Sequence, residues 1–197
     1  MGGNVNISMD IDGVLVDREN YQTEKAVEFA KKNNINFHIL KSDAYNVDEM
    51  FGWDKDNFKA FWDEYLWDYA KQPPFADVKV ILSKLRADRH KIIINTSRWL
   101  SELENEIGKK MRKTVEDWFV KNDLPFDELV FARGDKLAVV ESLCADCHIE
   151  DNPIEAIPIA EKIPVIMFDC EYNKNFYGEN VFHAKDWEEI YKLLMKF

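Results

Sequence analysis

The run Lys91-Ile92-Ile93-Ile94-Asn95-Thr96 limits how this chain can fold more than any other stretch. Three consecutive β-branched side chains favour an extended backbone. Strand side chains alternate between faces, so an unbroken apolar run needs cover on both sides, as in a parallel sheet. The rest of the chain repeats the theme. Strands are expected at 5–9, 129–132, 148–150 and 164–168, and helices at 101–121, 136–143, 153–161 and 186–196. Strands alternating with helices predict an α/β fold: a Rossmann-like, three-layer α/β/α architecture around a parallel sheet.

Residues 18–76 break the alternation. They hold two or three helical patterns and no convincing strand, which predicts a helical cap (18–76) inserted into a core formed by 1–17 and 77–197. The clearest helix spans about 55–70, where Phe58, Phe61, Trp62, Tyr65, Leu66 and Tyr69 follow helical spacing along one face. Trp67 lies off that stripe, facing either the core or the cleft. Pro73-Pro74 ends the helix and marks the way back to the core.

With 197 residues, 46% of them hydrophobic, the chain can bury a core. Its 26 basic and 37 acidic residues give a net charge of −11, which disfavours a nucleic acid polymer as partner. No apolar run approaches the roughly 18 residues that span a bilayer, and no basic-plus-apolar leader is visible. A soluble protein of the cytoplasm without membrane partners is expected. Cys144, Cys147 and Cys170 fit reduced thiols better than a disulfide framework. Cys144-x-x-Cys147 has no second cysteine or histidine pair to complete a zinc site, and His38, His90, His148 and His183 do not cluster.

Ligands of open parallel sheets bind beyond the carboxyl ends of the strands. The unusual polar residues fall at such ends: Asp10 and Asp12; Thr96, Ser97 and Arg98; Arg133 and Lys136; Glu150, Asp151 and Asn152. Clustered carboxylates suit a hard divalent cation such as Mg2+, hydroxyls donate to phosphate oxygens, and a lysine supplies a point charge. Together they describe a phosphoryl-transfer site with an aspartate nucleophile, a second carboxyl for proton transfer and a metal. Thr96 and Ser97 equally suit capping of the next helix, and Arg133 fits an ordinary surface charge.

Asp10-Ile11-Asp12-Gly13-Val14-Leu15, the strand ending in Thr96, the isolated Lys136 and the pair Glu150-Asp151 resemble, in order, the four motifs of the haloacid-dehalogenase-like phosphatase superfamily. The resemblance covers the whole chain, including a cap between the first two motifs. It implies Asp10 as nucleophile and Asp12 as acid/base. Mg2+ would be held by Asp10, the Asp12 backbone carbonyl and Asp151, with Glu150 behind these ligands. Thr96, Ser97 and Lys136 would bind the phosphoryl group.

Within the superfamily, Gly13-Val14-Leu15-x-Asp17 and Thr96-Ser97 look most like the 5'(3')-deoxyribonucleotidase (cytosolic type C 5'-nucleotidase) family. That resemblance implies an aromatic base pocket in the cap, with Phe51, Trp53 and Trp62 as candidates. Three positions depart from the pattern: Arg18 replaces an aromatic residue, Arg98 a proline and Glu150 an aspartate. Arg18 and Arg98 are expected to meet substrate and to favour a more anionic ligand. The expected activity is Mg2+-dependent hydrolysis of a small phosphorylated metabolite, a nucleoside or deoxynucleoside monophosphate in the first reading. The alternatives are a phosphatase for sugar phosphates or other small metabolites, and a non-catalytic metal- and phosphate-binding regulatory protein.

Overall fold

The computed structural model describes residues 4–196. Among them the elements run β1 (Asn6–Met9), α1 (Arg18–Asn33), α2 (Val47–Phe51), α3 (Lys55–Tyr69), α4 (Val78–Ala87), β2 (Lys91–Thr96), α5 (Glu106–Asn122), β3 (Glu128–Phe131), α6 (Lys136–Ser142), β4 (Cys147–Glu150), α7 (Pro153–Ala160), β5 (Val165–Phe168), β6 (Val181–Ala184) and α8 (Trp187–Leu194). The strands form one parallel sheet in the order β3-β2-β1-β4-β5-β6.

Ile92, Ile93 and Ile94 are fully buried on β2, between β1 and β3. Alternation along β5 shows the two covered faces. Ile166 and Phe168 join a core with Leu82 and Leu85 of α4, Val115 and Phe119 of α5, and Ile190 of α8. Val165 and Met167 join a second one with Val140 of α6 and Ile159 of α7. The expected three-layer α/β fold is therefore present, and each fully buried isoleucine contributes about 1.5–3 kcal/mol through removal from water.

The differences from expectation have local causes. Helix α5 begins at Glu106 rather than 101, because Asn105 Oδ1 accepts from the amides of Ile107 (3.0 Å) and Gly108 (3.1 Å). The preceding turn passes through Leu100 at φ 69° and lies against the helix, where Arg112 donates to the Leu103 carbonyl at 3.0 Å. A Cβ on Gly108 would stand 1.9 Å from that carbonyl oxygen, so only glycine admits the approach. Strand β6 was not expected; it is an edge strand in which only Ala184 is fully covered, so it lacks an apolar run.

Helices α1, α2 and α3 pack on one another. Asp17 caps α1, accepting from the Asn20 amide at 3.1 Å. The α3 stripe buries Phe61, Trp62, Tyr65, Leu66 and Tyr69, with Phe58 half-buried. Trp67 settles on the core side: the Lys110 ammonium of α5 lies 3.9 Å from its ring centroid. The chain rejoins the core where the Phe75 amide donates to the Leu15 carbonyl at 2.9 Å.

Ile94→Ala is expected to cost about 2–5 kcal/mol in urea denaturation. Val120→Ala, at a position exposed on α5, should stay within about 0.5 kcal/mol of the parent. Equal effects would contradict a two-sided core around β2.

Candidate active site

The sheet order reverses direction at β1, which lies between β2 and β4. Ligand sites of doubly wound sheets form at such a switch point. Register places Met9 level with Ile94 and Ile149, so Asp10, Thr96, Glu150 and Asp151 emerge at one edge. The Asp10 amide donates to the Ile149 carbonyl at 3.1 Å. The chain then turns tightly, with Leu15 N on Ile11 O at 2.8 Å and Gly13 at φ 78°. A Cβ on Gly13 would stand 2.0 Å from Asp151 Oδ2, so glycine here is required by backbone and by space.

Asp10, Glu150 and Asp151 are buried together, each offering a carboxylate oxygen within 4.8 Å of the others. Lys136, at the start of α6, reaches in with Nζ 2.7 Å from Glu150 Oε2 and 3.2 Å from Asp10 Oδ1. Glu150 is saturated. Its Oε1 accepts from the amides of Asp151 and Asn152, both at 3.1 Å, and its Oε2 faces His148 Nε2 at 3.2 Å as well as Lys136. His148 Nδ1 lies 2.9 Å from Ser8 Oγ.

By contrast, Asp151 Oδ1 is buried and accepts no hydrogen bond, and Asp10 Oδ1, also buried, has only the Lys136 ammonium beside it as an ion-pair partner. Buried carboxylate oxygens gathered this closely are the all-oxygen donor set that a hard divalent cation takes. Glu150, with both oxygens engaged, frames the pair from behind. Asp12 is absent from the carboxylate cluster; any share it takes would come through its backbone carbonyl.

The titrations follow the same imbalance. Burial, joined by the neighbouring Glu150 and Asp12, pushes Asp10 up to about 7 despite Lys136. Burial and the Glu150 and Asp10 charges raise Asp151 well above the carboxylate range. Burial would raise Glu150 too, but Lys136 and His148 outweigh it and hold Glu150 ionised. Burial opposes charge on Lys136, yet Asp10 and Glu150 keep it an ammonium.

Asp12 stands apart. Arg98 Nε donates to both its oxygens at 3.1 Å, Nη2 pairs with Oδ1, and Tyr69 Oη donates to Oδ1 at 2.6 Å. Burial works against charge there, but Arg98 and Tyr69 prevail and hold Asp12 below the usual carboxylate range. Arg98, expected to meet substrate, lines the cavity beside Asp12 and is engaged within the protein by Asp12 and by the Ala70 carbonyl at 3.4 Å. Arg18 is likewise engaged within the protein, donating to Tyr45 O at 2.8 Å and Asn46 Oδ1 at 3.1 Å, with its guanidinium 3.6 Å from the Tyr45 ring centroid.

Asp12 opens onto a cavity of about 280 Å3 shared with Arg18, Tyr45, Phe58, Trp62, Tyr69, Ser97, Arg98 and Trp99. The expected walls Phe51 and Trp53 do not line it. Phe51 is fully buried and stacks on Trp53 at 5.4 Å, and the Trp53 indole donates to the Asn36 carbonyl at 2.7 Å. Trp62 does line it, beside Trp99 at 6.2 Å. Ser97 is exposed at the rim and Thr96 is buried, its hydroxyl accepting from the Arg98 amide at 3.2 Å. Arg133 pairs with Glu104 on the surface. A larger cavity of about 390 Å3 beside Asp17 is lined by Glu19, Asp77, Asp169 and Asp186 together with Arg18 and Lys185, so acidic groups outnumber basic ones there.

Sequence reasoning passed over Tyr172 and Asn173. Tyr172 donates to Asp151 Oδ2, and Asn173 Nδ2 donates to the Asp151 carbonyl at 2.7 Å. Both follow β5, so extending the strand-end rule to that strand would have found them. Trp99, 48% exposed, was legible as an aromatic next to Arg98.

Gly13→Ala should cost at least about 1 kcal/mol in urea denaturation, because it adds strain at positive φ and displaces Asp151. In chelator, the native protein keeps a proton on Asp10 up to about pH 7, whereas the unfolded chain releases it near the ordinary value of 3.8. This group's contribution therefore falls as pH rises between those values. Asp10→Asn should gain stability relative to the parent from pH 5 to 8, by at most about 1.4 kcal/mol per unit. A gap that does not change with pH would contradict the raised Asp10.

No family model matches the chain. It is 28% identical over 189 residues to a protein of Halalkalibacterium halodurans provisionally named a nucleotidase, covering 92% of this chain and 88% of that one. A Bacillus subtilis protein with the same provisional name is 22% identical over 194 residues, with 93% and 90% covered. Among solved structures, a haloacid dehalogenase-like family hydrolase of Streptococcus pneumoniae superposes with a TM-score of 0.61 at 15% identity, over 97% of this chain and 98% of that one. The chain thus has the haloacid-dehalogenase-like fold, and along nearly its whole length it is similar to proteins that carry nucleotidase names.

Proposed function

We propose that this protein is a Mg2+-dependent phosphatase of small phosphomonoesters, with nucleoside or deoxynucleoside monophosphates as its substrate class. The observation that carries the reading is the pair of buried carboxylate oxygens that accept no hydrogen bond, Asp10 Oδ1 beside the Lys136 ammonium and Asp151 Oδ1, next to an aromatic cavity that contains Asp12. Residues 18–76 act as the cap and 4–17 with 77–196 as the core. Bound at Asp10 and Asp151, Mg2+ would offset the negative charge of the phosphate and its carboxylate neighbours.

The protein's own residues carry the steps. An Asp10 carboxylate oxygen bonds to phosphorus as the bond to the leaving oxygen breaks, and the Asp12 carboxyl gives that oxygen its proton. Asp12 then takes a proton from water, whose oxygen bonds to phosphorus and releases Asp10 and inorganic phosphate. Lys136, beside Asp10, holds phosphoryl oxygens, with Ser97 donating at the rim. Arg98 and Tyr69 favour the ionised Asp12 that the second half-reaction needs; protonating it for the first half weakens its pair with Arg98.

The nucleotide assignment draws on the names of the relatives and on the Phe58, Trp62 and Trp99 wall, since aromatic faces stack bases at about 1–3 kcal/mol each. A sugar-phosphate reading gains from Phe51 and Trp53 being internal packing. Cytoplasmic location fits the free thiols of Cys144, Cys147 and Cys170, and among the described residues no helix is long and apolar enough to cross a membrane.

Phosphate release by the purified protein should need Mg2+ and fall by orders of magnitude in Asp10→Asn. Within a panel of nucleotides and sugar phosphates, at least one nucleoside monophosphate should lead in kcat/KM. Release untouched by Asp10→Asn refutes the mechanism, and a sugar-led ranking refutes the nucleotide assignment.

A further inference from the structure

Asp12 is held by groups from outside its own turn. Arg98, just beyond β2, spends Nε on both carboxylate oxygens, Nη2 on Oδ1 and Nη1 on the Ala70 carbonyl. Tyr69, the last residue of α3, donates to the same Oδ1, and its ring centroid lies 5.4 Å from the Arg98 guanidinium carbon. Arg98 is itself anchored. Its amide donates to Thr96 Oγ1 at 3.2 Å, and its carbonyl accepts from the Ser101 amide at 2.9 Å. Its side chain is buried, and each of its three nitrogens has a protein acceptor.

We infer that Arg98, aided by Tyr69, is the positioning residue of the Asp12 carboxyl and couples it to the end of α3 through Ala70. The inference rests on the reading of Asp12 as the proton-transfer group, and it removes Arg98 from the residues that bind substrate. A planar fork fixes both position and plane of a carboxylate, which a lysine ammonium cannot do. Ala70 lies just before Pro73-Pro74, where the chain returns to the core, so a shift of the cap moves the partner of Arg98. The proton-transfer group is then aligned only when the cap is seated.

The test separates positioning from binding by leaving group. An alkyl phosphomonoester needs a proton delivered to its leaving oxygen, whereas p-nitrophenyl phosphate expels a stable phenolate with little help. Using the full chain with Mg2+ in single-turnover measurements, Arg98→Lys should slow leaving-group release from the best alkyl ester of the substrate panel roughly 10- to 100-fold. The loss in the p-nitrophenol release step should stay within about threefold with little change in substrate affinity, while the later hydrolysis step, which needs Asp12 for either substrate, slows equally for both. In an Asp12→Asn background the same substitution should add no further loss. Tyr69→Phe, which removes only a hydroxyl, should give a smaller split of the same sense and carries the test if Arg98→Lys does not fold.

Equal losses in the leaving-group-release step on both substrates, or weakened substrate binding with that step unchanged, would overturn the inference while leaving the phosphatase reading intact. Absence of the split in Tyr69→Phe, where Arg98→Lys does not fold, would do the same. A parent protein inactive on both substrates would overturn the phosphatase reading and this inference with it.

Discussion

Three carboxylates, Asp10, Glu150 and Asp151, leave water together at the ends of β1 and β4 with a single lysine among them. Burying ions costs several kcal/mol each unless charge and hydrogen bonds are supplied. The surrounding fold meets part of that demand. Helix α6 starts where Lys136 bridges Asp10 and Glu150, β4 brings His148 behind Glu150, and the turn into α7 presents the Asp151 and Asn152 amides. Glu150 is neutralised, and the remaining demand falls on Asp10 and Asp151. That remainder is the observation on which the proposed cation site rests.

The two buried arginines extend the same logic into the helical segment. Arg18 stacks on Tyr45, Tyr45 meets Tyr172 edge-on at 5.0 Å, and Tyr172 donates to Asp151. Arg98 and Tyr69 meet Asp12 on the other flank. Segment 18–76 therefore touches both ends of the acidic site through charged and aromatic contacts that are short-range and directional.

Between these flanks lies the aromatic cavity, and its composition bears on what it can hold. Both guanidiniums on its wall are engaged by protein acceptors, so the cavity offers apolar faces and edges more than free charge. Arginine in such a wall does not by itself invite an anion. The expectation of a more anionic ligand, drawn from Arg18 and Arg98, meets a cavity wall in which both guanidiniums already have protein acceptors.

Much of this was legible in residue order. The isoleucine run on β2 needs two covered faces, and strand–helix alternation implies a parallel sheet; together they put Asp10, Thr96, Lys136 and Asp151 at one edge. Helical spacing gave the buried stripe of α3, and the side chain of Asp17 capped its helix as its type suggests. These features depend on neighbours in sequence, where periodicity and local hydrogen bonding suffice. What tertiary structure decided were pairings between residues far apart in the chain: Arg98 with Asp12, Arg18 with Tyr45, Tyr172 with Asp151, and Phe51 and Trp53 inside the helices instead of on the cavity wall. An arginine near a site can meet a substrate or a neighbour with equal chemical fitness. Only the packed fold, by bringing an acceptor within about 3 Å before any ligand arrives, chooses between them.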